Sequence, residues 1–233
     1  METNKLSVVI ITKNEENFIT DAIKSALFAD EVIILDSGSI DKTCEIAKEL
    51  GAKVYQNEWL GFGPQKNRAV ELAKNDWVFV LDSDERITKE LKDEIVATLK
   101  EPQFNGYFIA RLNNFFGKNI KNCGLYPDYS IRLFNKNYGK FNDVSVHESV
   151  QLTSKAAYLK NHMIHLAYDS IEEFIQKQNR NVGPCSSKNI RGHTYHPAQH
   201  FAFHHLLAYF AFNAALCRDK SGRYYNSRFS FGG

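Results

Sequence analysis

The chain has 233 residues, of which 43% are hydrophobic and 13% aromatic, and its formal net charge is +2. This composition supports a packed core and excludes a disordered or low-complexity protein. The four cysteines include no Cys-x-x-Cys pair, which excludes a zinc knuckle and a disulfide-rich secreted scaffold. Because no secretory signal is visible before the first predicted strand, we expect a reducing, cytoplasmic location.

The first hundred residues alternate between short apolar runs and amphipathic patterns, which is typical of βαβ units. Four strands are predicted, each followed by a helix, at residues 6–11, 32–35, 53–55 and 77–81. Gly51 ends the second helix, Pro64 suits the start of the third, and Thr88 begins the fourth. This order predicts an α/β fold with a mostly parallel sheet flanked by helices.

Polar residues follow three of these strands. They are Asn14 and Glu15 after the first strand, Asp36 after the second, and Asp82 and Asp84 after the fourth. The carboxyl ends of parallel strands are where open α/β sheets bind ligands. A hard divalent cation takes oxygen ligands and shares them with substrate phosphates, so this edge is a candidate metal–nucleotide site. The alternative is that Asp82 or Ser83 merely caps a helix.

Residues 106–165 differ from the first hundred. Shorter, partly alternating apolar runs with Asn- and Gly-rich turns predict an antiparallel extension, with strands at 107–109, 131–134 and 146–152. A helical pattern follows at residues 170–178.

The C-terminal segment combines an aromatic helix with a basic flank. Residues 197–217 predict a helix that is apolar nearly all round, but too short for a confident membrane span. Residues 176–233 contain eight Lys and Arg against one Asp, so the rest of the chain is net acidic. Such a helix suits the surface of an anionic membrane, and an ordinary packing helix is the alternative.

Several motifs together resemble the family-two inverting glycosyltransferases with the GT-A fold. The runs that carry this resemblance are residues 7–16, residues 33–41 and Asp82-Ser83-Asp84-Glu85. Arg132-Leu133-Phe134 and the later Val146-His147-Glu148 narrow it to a bacterial subgroup of β-glucosyltransferases that build the inner core of lipopolysaccharide. The resemblance is specific over residues 6–150. It implies three regions: a nucleotide-sugar-binding α/β region at 1–115, an acceptor-side region at 116–190, and an aromatic helix with a basic tail at 191–233.

The resemblance also implies roles for individual residues. The donor-binding set would be Thr12, Asn14, Glu15, Asp36, Ser37, Lys66, Asp82 and Ser83. Glu15 and Asp36 would contact the nucleoside, although many relatives carry a second acid where this chain has Ser37. Asp84 would hold Mg²⁺ or Mn²⁺ on the diphosphate. Asp82 would lie near the ribose or the metal, and His147 would bind the metal or orient the acceptor.

The chemistry of such a transfer needs a cation and a base. A divalent cation stabilises the charge that develops on a departing nucleoside diphosphate. A positioned base that removes the proton of the attacking hydroxyl contributes about 10²–10⁴-fold. Glu148 is the first candidate for this base and Asp143 the second. Inversion requires only one such carboxylate.

The sequence therefore predicts a metal-dependent inverting transferase. It would move a hexose, with glucose expected, from a nucleotide-diphosphate donor, expected to be a UDP-sugar, to a saccharide or lipid-linked saccharide. Two alternatives are a sugar nucleotidyltransferase and a catalytically silent, membrane-associated nucleotide-sugar-binding protein. The first is disfavoured because Thr12-Lys13-Asn14-Glu15 replaces a Gly-rich phosphate loop. A nucleic-acid partner is not expected, since the basic tail lacks a recognisable module.

Overall fold

The computed structural model describes residues 4–115, 117–121, 125–143 and 148–168. Within these residues lie four helices, α1 (Ile19–Ala26), α2 (Thr43–Glu49), α3 (Phe62–Leu72) and α4 (Lys89–Lys100). The strands of the first half are β1 (Leu6–Thr12), β2 (Glu31–Asp36), β3 (Lys53–Gln56), β4 (Trp77–Asp82) and β5 (Glu85–Ile87). Those of the second half are β6 (Gly106–Phe115), β7 (Lys118–Asn119), β8 (Asp128–Asn135), β9 (Gly139–Phe141), β10 (Val150–Leu152) and β11 (Ala157–Tyr168).

Nine of these strands form one sheet in the order β3-β2-β1-β4-β8-β6-β11-β5, with β7 paired to β6. The first four are parallel to one another. Strand β8 is antiparallel to both β4 and β6, and β11 is antiparallel to β5. Strands β9 and β10 form a separate antiparallel pair. The predicted parallel sheet with a smaller antiparallel extension is confirmed.

The parallel strands are nearly continuous apolar runs because helices cover both of their faces. Strands β1, β2 and β4 are buried along almost their whole length. Helices α1, α2 and α4 contribute to one core cluster, and α3 contributes to the cluster on the opposite face. This arrangement leaves the carboxyl ends of the parallel strands uncovered by these helices.

The local predictions differ from the structure at a few places. Helix α3 begins at Phe62, two residues before Pro64, because Gly61 takes a φ of 96° at its N-cap. Thr88 caps α4 as predicted, since its hydroxyl accepts the N–H of Leu91 at 3.2 Å. The run Asp82-Ser83-Asp84-Glu85 connects β4 to β5 and does not start a helix, so the capping alternative is wrong for both Asp82 and Ser83.

No predicted strand corresponds to β5, β7, β9 or β11, and β6 is longer than the predicted 107–109. The predicted boundary between the nucleotide-sugar-binding region (1–115) and the acceptor-side region (116–190) falls at the end of β6, between neighbouring strands of one sheet. The predicted helices at 170–178 and 197–217, the C-terminal helices of the expected fold, lie outside the described residues, as does His147. Among the helices that the structure describes, none is long and apolar enough to cross a membrane.

Candidate active site

The carboxyl ends of β1 and β4 open into a cavity of about 560 Å³, which we call the first cavity. Its walls come from β1, the turn between β4 and β5, the N-terminal part of α3, the segment before β10, and β11. The predicted site residues on its wall are Thr12, Glu15, Lys66, Asp82, Ser83, Asp84 and Glu148. Residues far apart in the sequence therefore meet at one edge of the sheet, as expected for a doubly wound fold.

Asp36 lies fully buried beside this cavity and holds the loop that follows β2. One carboxylate oxygen accepts hydrogen bonds from the hydroxyls of Thr12, at 3.0 Å, and Ser39. The other accepts the N–H groups of Gly38 and Ser39 at 3.0 and 2.9 Å. Burial alone would raise the pKa of Asp36, but these hydrogen bonds outweigh burial and hold it below its ordinary value.

Asn14 and Ser37 support the same loop from two sides. Asn14, at a φ of 59°, donates its N–H to Ser39 at 2.8 Å and accepts the N–H of Ile40 at 2.9 Å. Ser37 accepts a hydrogen bond of 2.8 Å from the buried amide of Gln65 in α3. Neither is among the described residues that line the first cavity, so their structural role is to fix the loop beside it.

Asp82 is the centre of a buried ionic cluster. One of its oxygens lies 2.9 Å from Lys66 and the other 2.8 Å from Arg132. Arg132 also contacts the fully buried Glu85 at 2.5 Å. Burial alone would raise the pKa of Asp82, but Arg132 and Lys66 hold it well below its usual range. Burial raises the pKa of Glu85, although Arg132 opposes this effect.

Lys66 connects Asp82 to Glu148. Its ammonium, almost completely buried, lies 2.8 Å from a carboxylate oxygen of Glu148. The contact requires α3 to approach the segment before β10 closely. Gly63 allows this approach, because a Cβ there would lie only 2.1 Å from the carbonyl oxygen of Asn142.

Asp84 faces His165 of β11. Its carboxylate lies 3.5 Å from His165 Nε2, and its carbonyl accepts the N–H of Leu166 at 2.8 Å. His165 Nδ1 contacts Asn113 Oδ1 at 2.7 Å, and the amide nitrogen of Asn113 donates to the carbonyl of Leu125. Because Asn113 Oδ1 can only accept, Nδ1 donates to it, and Nε2 is the ring nitrogen that faces Asp84.

Asp84 and His165 fit a divalent cation better than Asp82 does. Both oxygens of Asp82 already contact cationic side chains, whereas the one ion-pair partner of the Asp84 carboxylate among the described residues is an imidazole that is oriented like a metal ligand. The described residues contain no group of three or more potential metal ligands. Magnesium commonly takes only one or two carboxylates from the protein and its other ligands from water and substrate phosphates.

A second cavity of about 570 Å³ adjoins the first. The two cavities share Lys66, Asp82 and Glu148 on their walls. Asp143, the second candidate base, instead lines a separate depression with residues of β9 and the end of α3. The structure thus brings Glu148 into the site, between two cavities, and places Asp143 outside both.

Residues 7–158 match the model of the family described as glycosyl transferase family 2. The chain belongs to this family. An uncharacterized glycosyltransferase of Rickettsia bellii is 37% identical over 192 residues, which cover 76% of this chain and 65% of the relative. The lipopolysaccharide core biosynthesis glycosyltransferase LpsC of Rhizobium meliloti is 27% identical, over 75% of this chain and 68% of LpsC.

The fold is that of GT-A structural neighbours. Residues 1–349 of TarS from Staphylococcus aureus superpose with a TM-score of 0.52 at 22% identity, covering 76% of this chain and 64% of that one. The predicted GT-A fold is therefore confirmed. The chain spans about two thirds of the length of the family 2 relatives that it matches.

Sequence reasoning assigned no role to three residues of this family 2 site. Arg132 and Glu85 belong only to quoted motifs, and His165 to none of them. Arg132 carried a usable signal, because a charged residue inside the apolar run of β8 predicts a buried ion pair. No sequence signal marked His165, since its contact with Asp84 depends on the pairing of β11 with β5, which are far apart in the sequence.

Proposed function

We propose that this family 2 protein is an inverting glycosyltransferase that moves a hexose from a nucleotide-diphosphate donor to a saccharide hydroxyl. The observation that carries the proposal is the common position of Asp84, Lys66 and Glu148 on one cavity wall. A cation site, a fixed ammonium and a carboxylate base are the groups that this reaction needs. The donor would lie in the first cavity, and the acceptor hydroxyl would reach Glu148 from the second.

The charges of the site support a metal–diphosphate complex. Four carboxylates line the first cavity, against two cationic side chains, and these six residues are Glu15, Asp82, Asp84, Glu148, Lys13 and Lys66. A divalent cation would balance the excess negative charge and let a diphosphate approach. Mg²⁺ or Mn²⁺ held by Asp84 and His165 would supply Lewis-acid stabilisation of the leaving group.

The protein side chains supply the other steps. Glu148 would accept the proton of the attacking hydroxyl as the new glycosidic bond forms, and the anomeric carbon would invert as the diphosphate leaves. Lys66 would face both the base and the leaving group, because its ammonium already contacts Glu148. A fixed ammonium in a largely buried position stabilises developing phosphate charge more than one in water does.

The expected donor is a UDP-sugar with glucose, and the expected acceptor is a lipid-linked or core saccharide of a bacterial surface glycan. Two observations support a UDP-sugar donor and a surface-glycan acceptor, while the choice of glucose rests on the resemblance of the sequence motifs alone. TarS, which shares the fold, has been crystallised with UDP-GlcNAc, and LpsC carries a name from lipopolysaccharide core synthesis. A cytoplasmic location and peripheral contact with an anionic membrane stay predictions, because the basic tail lies outside the described residues.

The test is a panel of UDP-glucose, UDP-N-acetylglucosamine and GDP-mannose with purified protein, Mn²⁺ and truncated lipopolysaccharide as acceptor. We expect one donor to give a product whose new linkage is inverted by NMR. Asp84→Ala and Glu148→Gln should each abolish most of this transfer. Near wild-type rates in both variants would contradict the mechanism, and donor binding without transfer would support the catalytically silent alternative.

A further inference from the structure

Two aromatic rings on the wall of the first cavity have no role in the mechanism above. Trp59 and Phe62 both line this cavity, and each is nearly half exposed, at 46% and 49%. Their rings pack edge to face with centroids 4.9 Å apart. Together they form an apolar surface, which we call the aromatic wall, in a cavity otherwise rich in charged side chains.

Hydrogen bonds hold the segment that carries the aromatic wall. Trp59 belongs to the segment between β3 and α3, and Asn57 of this segment donates its N–H to the carbonyl of Asp36 at 3.1 Å. The side chains of Asn57 and the fully buried Gln65 exchange two hydrogen bonds of 3.0 and 3.2 Å. Phe62 is the first residue of α3. Rings held in this way can contact a ligand with little loss of conformational entropy.

The position of the wall points to the sugar of the donor. Phe62 and Lys66 are four residues apart in α3 and share one face of that helix. Because Lys66 contacts Glu148, the wall borders the end of the cavity that holds the base. The anomeric carbon must lie where a hydroxyl deprotonated by Glu148 can attack it, so the hexose ring lies at this end as well.

We propose that Trp59 and Phe62 bind the donor hexose by packing against the apolar C–H face of its ring. The inference rests on the proposed function and adds residues that would hold the transferred sugar. Burying apolar surface against an aromatic ring favours binding, and the rigid rings would also exclude water from the reacting carbon. The diphosphate, held at Asp84, does not need such a surface.

Binding measurements separate this contact from contacts to the nucleoside. We expect Trp59→Ala to weaken the binding of UDP-glucose or UDP-N-acetylglucosamine about tenfold in the presence of Mn²⁺, and to change UDP binding less than about twofold. Trp59→Phe should recover most of the loss. Leu60→Ala is the matched control, because Leu60 is 53% exposed in the same segment but is not among the described residues that line the cavity.

Fluorescence gives a second readout. The chain has two tryptophans, and Trp77 is buried in the core at 4% exposure. In Trp77→Phe the emission comes from Trp59 alone, and we expect the sugar nucleotide to change it more than UDP does. Phe62→Ala, checked by thermal unfolding, should reproduce the selective loss of sugar-nucleotide affinity if Trp59→Ala unfolds.

Two results would overturn the inference. If Trp59→Ala weakened the binding of UDP and of the sugar nucleotide equally, the aromatic wall would lie against the nucleoside. If Trp59→Ala left the binding of both unchanged, the aromatic wall would not be part of the donor site. Failure of the wild-type protein to bind UDP would be different, since it would overturn the proposed function and the inference with it.

Discussion

The parallel and antiparallel halves of the sheet build the site in different ways. In the parallel half, which consists of β3, β2, β1 and β4, the last three strands each place polar residues at the site within a few positions of their own carboxyl ends. In the antiparallel half, β8 and β11 place Arg132 and His165 against Asp82 and Asp84, which are 50 and 81 positions away in the sequence. The first half provides Asp82 and Asp84, and the second half provides a partner for each of them.

Asp82 and Asp84 show the consequence most clearly. They are two positions apart and carry the same side chain. Asp82 contacts two buried or nearly buried cations, so it holds the two halves together. Asp84 contacts an oriented imidazole, so it remains available to a metal ion. Neighbouring residues of one motif therefore differ in their contacts because different elements pack against them.

The largest expected effect comes from the segment before β10. Glu148→Gln removes the proposed base and should lower kcat by about 10²–10⁴-fold. UDP affinity and the free energy of unfolding should change little, because Lys66 keeps its contact with Asp82. Asp143→Asn is the matched control and should retain kcat, since Asp143 lies outside both cavities of the site. A larger loss of kcat in Asp143→Asn than in Glu148→Gln would indicate that Asp143, and not Glu148, is the base.

The next effect tests the connection between the halves. Arg132→Met leaves Glu85 buried without its closest cation and should lower the free energy of unfolding by about 3–5 kcal/mol. Urea unfolding would measure the loss. Arg68→Met is the control, because Arg68 forms an exposed pair with Glu71 that contributes about 0.5 kcal/mol or less. Similar losses in both variants would show that burial does not distinguish the two arginines.

The smallest expected effect lies within the parallel half. Asp36→Asn should lower the free energy of unfolding near neutral pH by about 1–3 kcal/mol, because an amide nitrogen would face donors of the loop. The folded pKa of Asp36 is below its ordinary value of 3.8, so its ionised form stabilises the protein above that pH. This stability is lost as the pH falls through the folded pKa.

The difference between wild type and Asp36→Asn should therefore shrink in acid. Urea unfolding at neutral pH and below pH 3.8 would compare the two proteins. Asp21→Asn, on the exposed face of α1, should show little change at either pH. A constant difference between wild type and Asp36→Asn across this range would contradict the role given to the carboxylate.

The two halves of the sheet also differ in how well the sequence predicts their strands and site residues. Strands β1, β2 and β4 were predicted because a strand buried on both faces is an apolar run of recognisable length. Strand β11 was not, since its burial alternates irregularly and its partners lie far away in the sequence. The site followed the same rule. The resemblance identified the acids and Lys66, but Arg132 and His165 reach Asp82 and Asp84 through strand pairing, and local patterns do not predict those partners.

The proposed mechanism requires Asp84 to hold the cation on which donor binding depends. Calorimetric titration of UDP into wild type and Asp84→Asn, with and without Mn²⁺, would measure this dependence. We expect Mn²⁺ to strengthen UDP binding to wild type about tenfold or more, and this gain to disappear in Asp84→Asn while its unfolding midpoint is retained. An equal gain from Mn²⁺ in both proteins would contradict the claim.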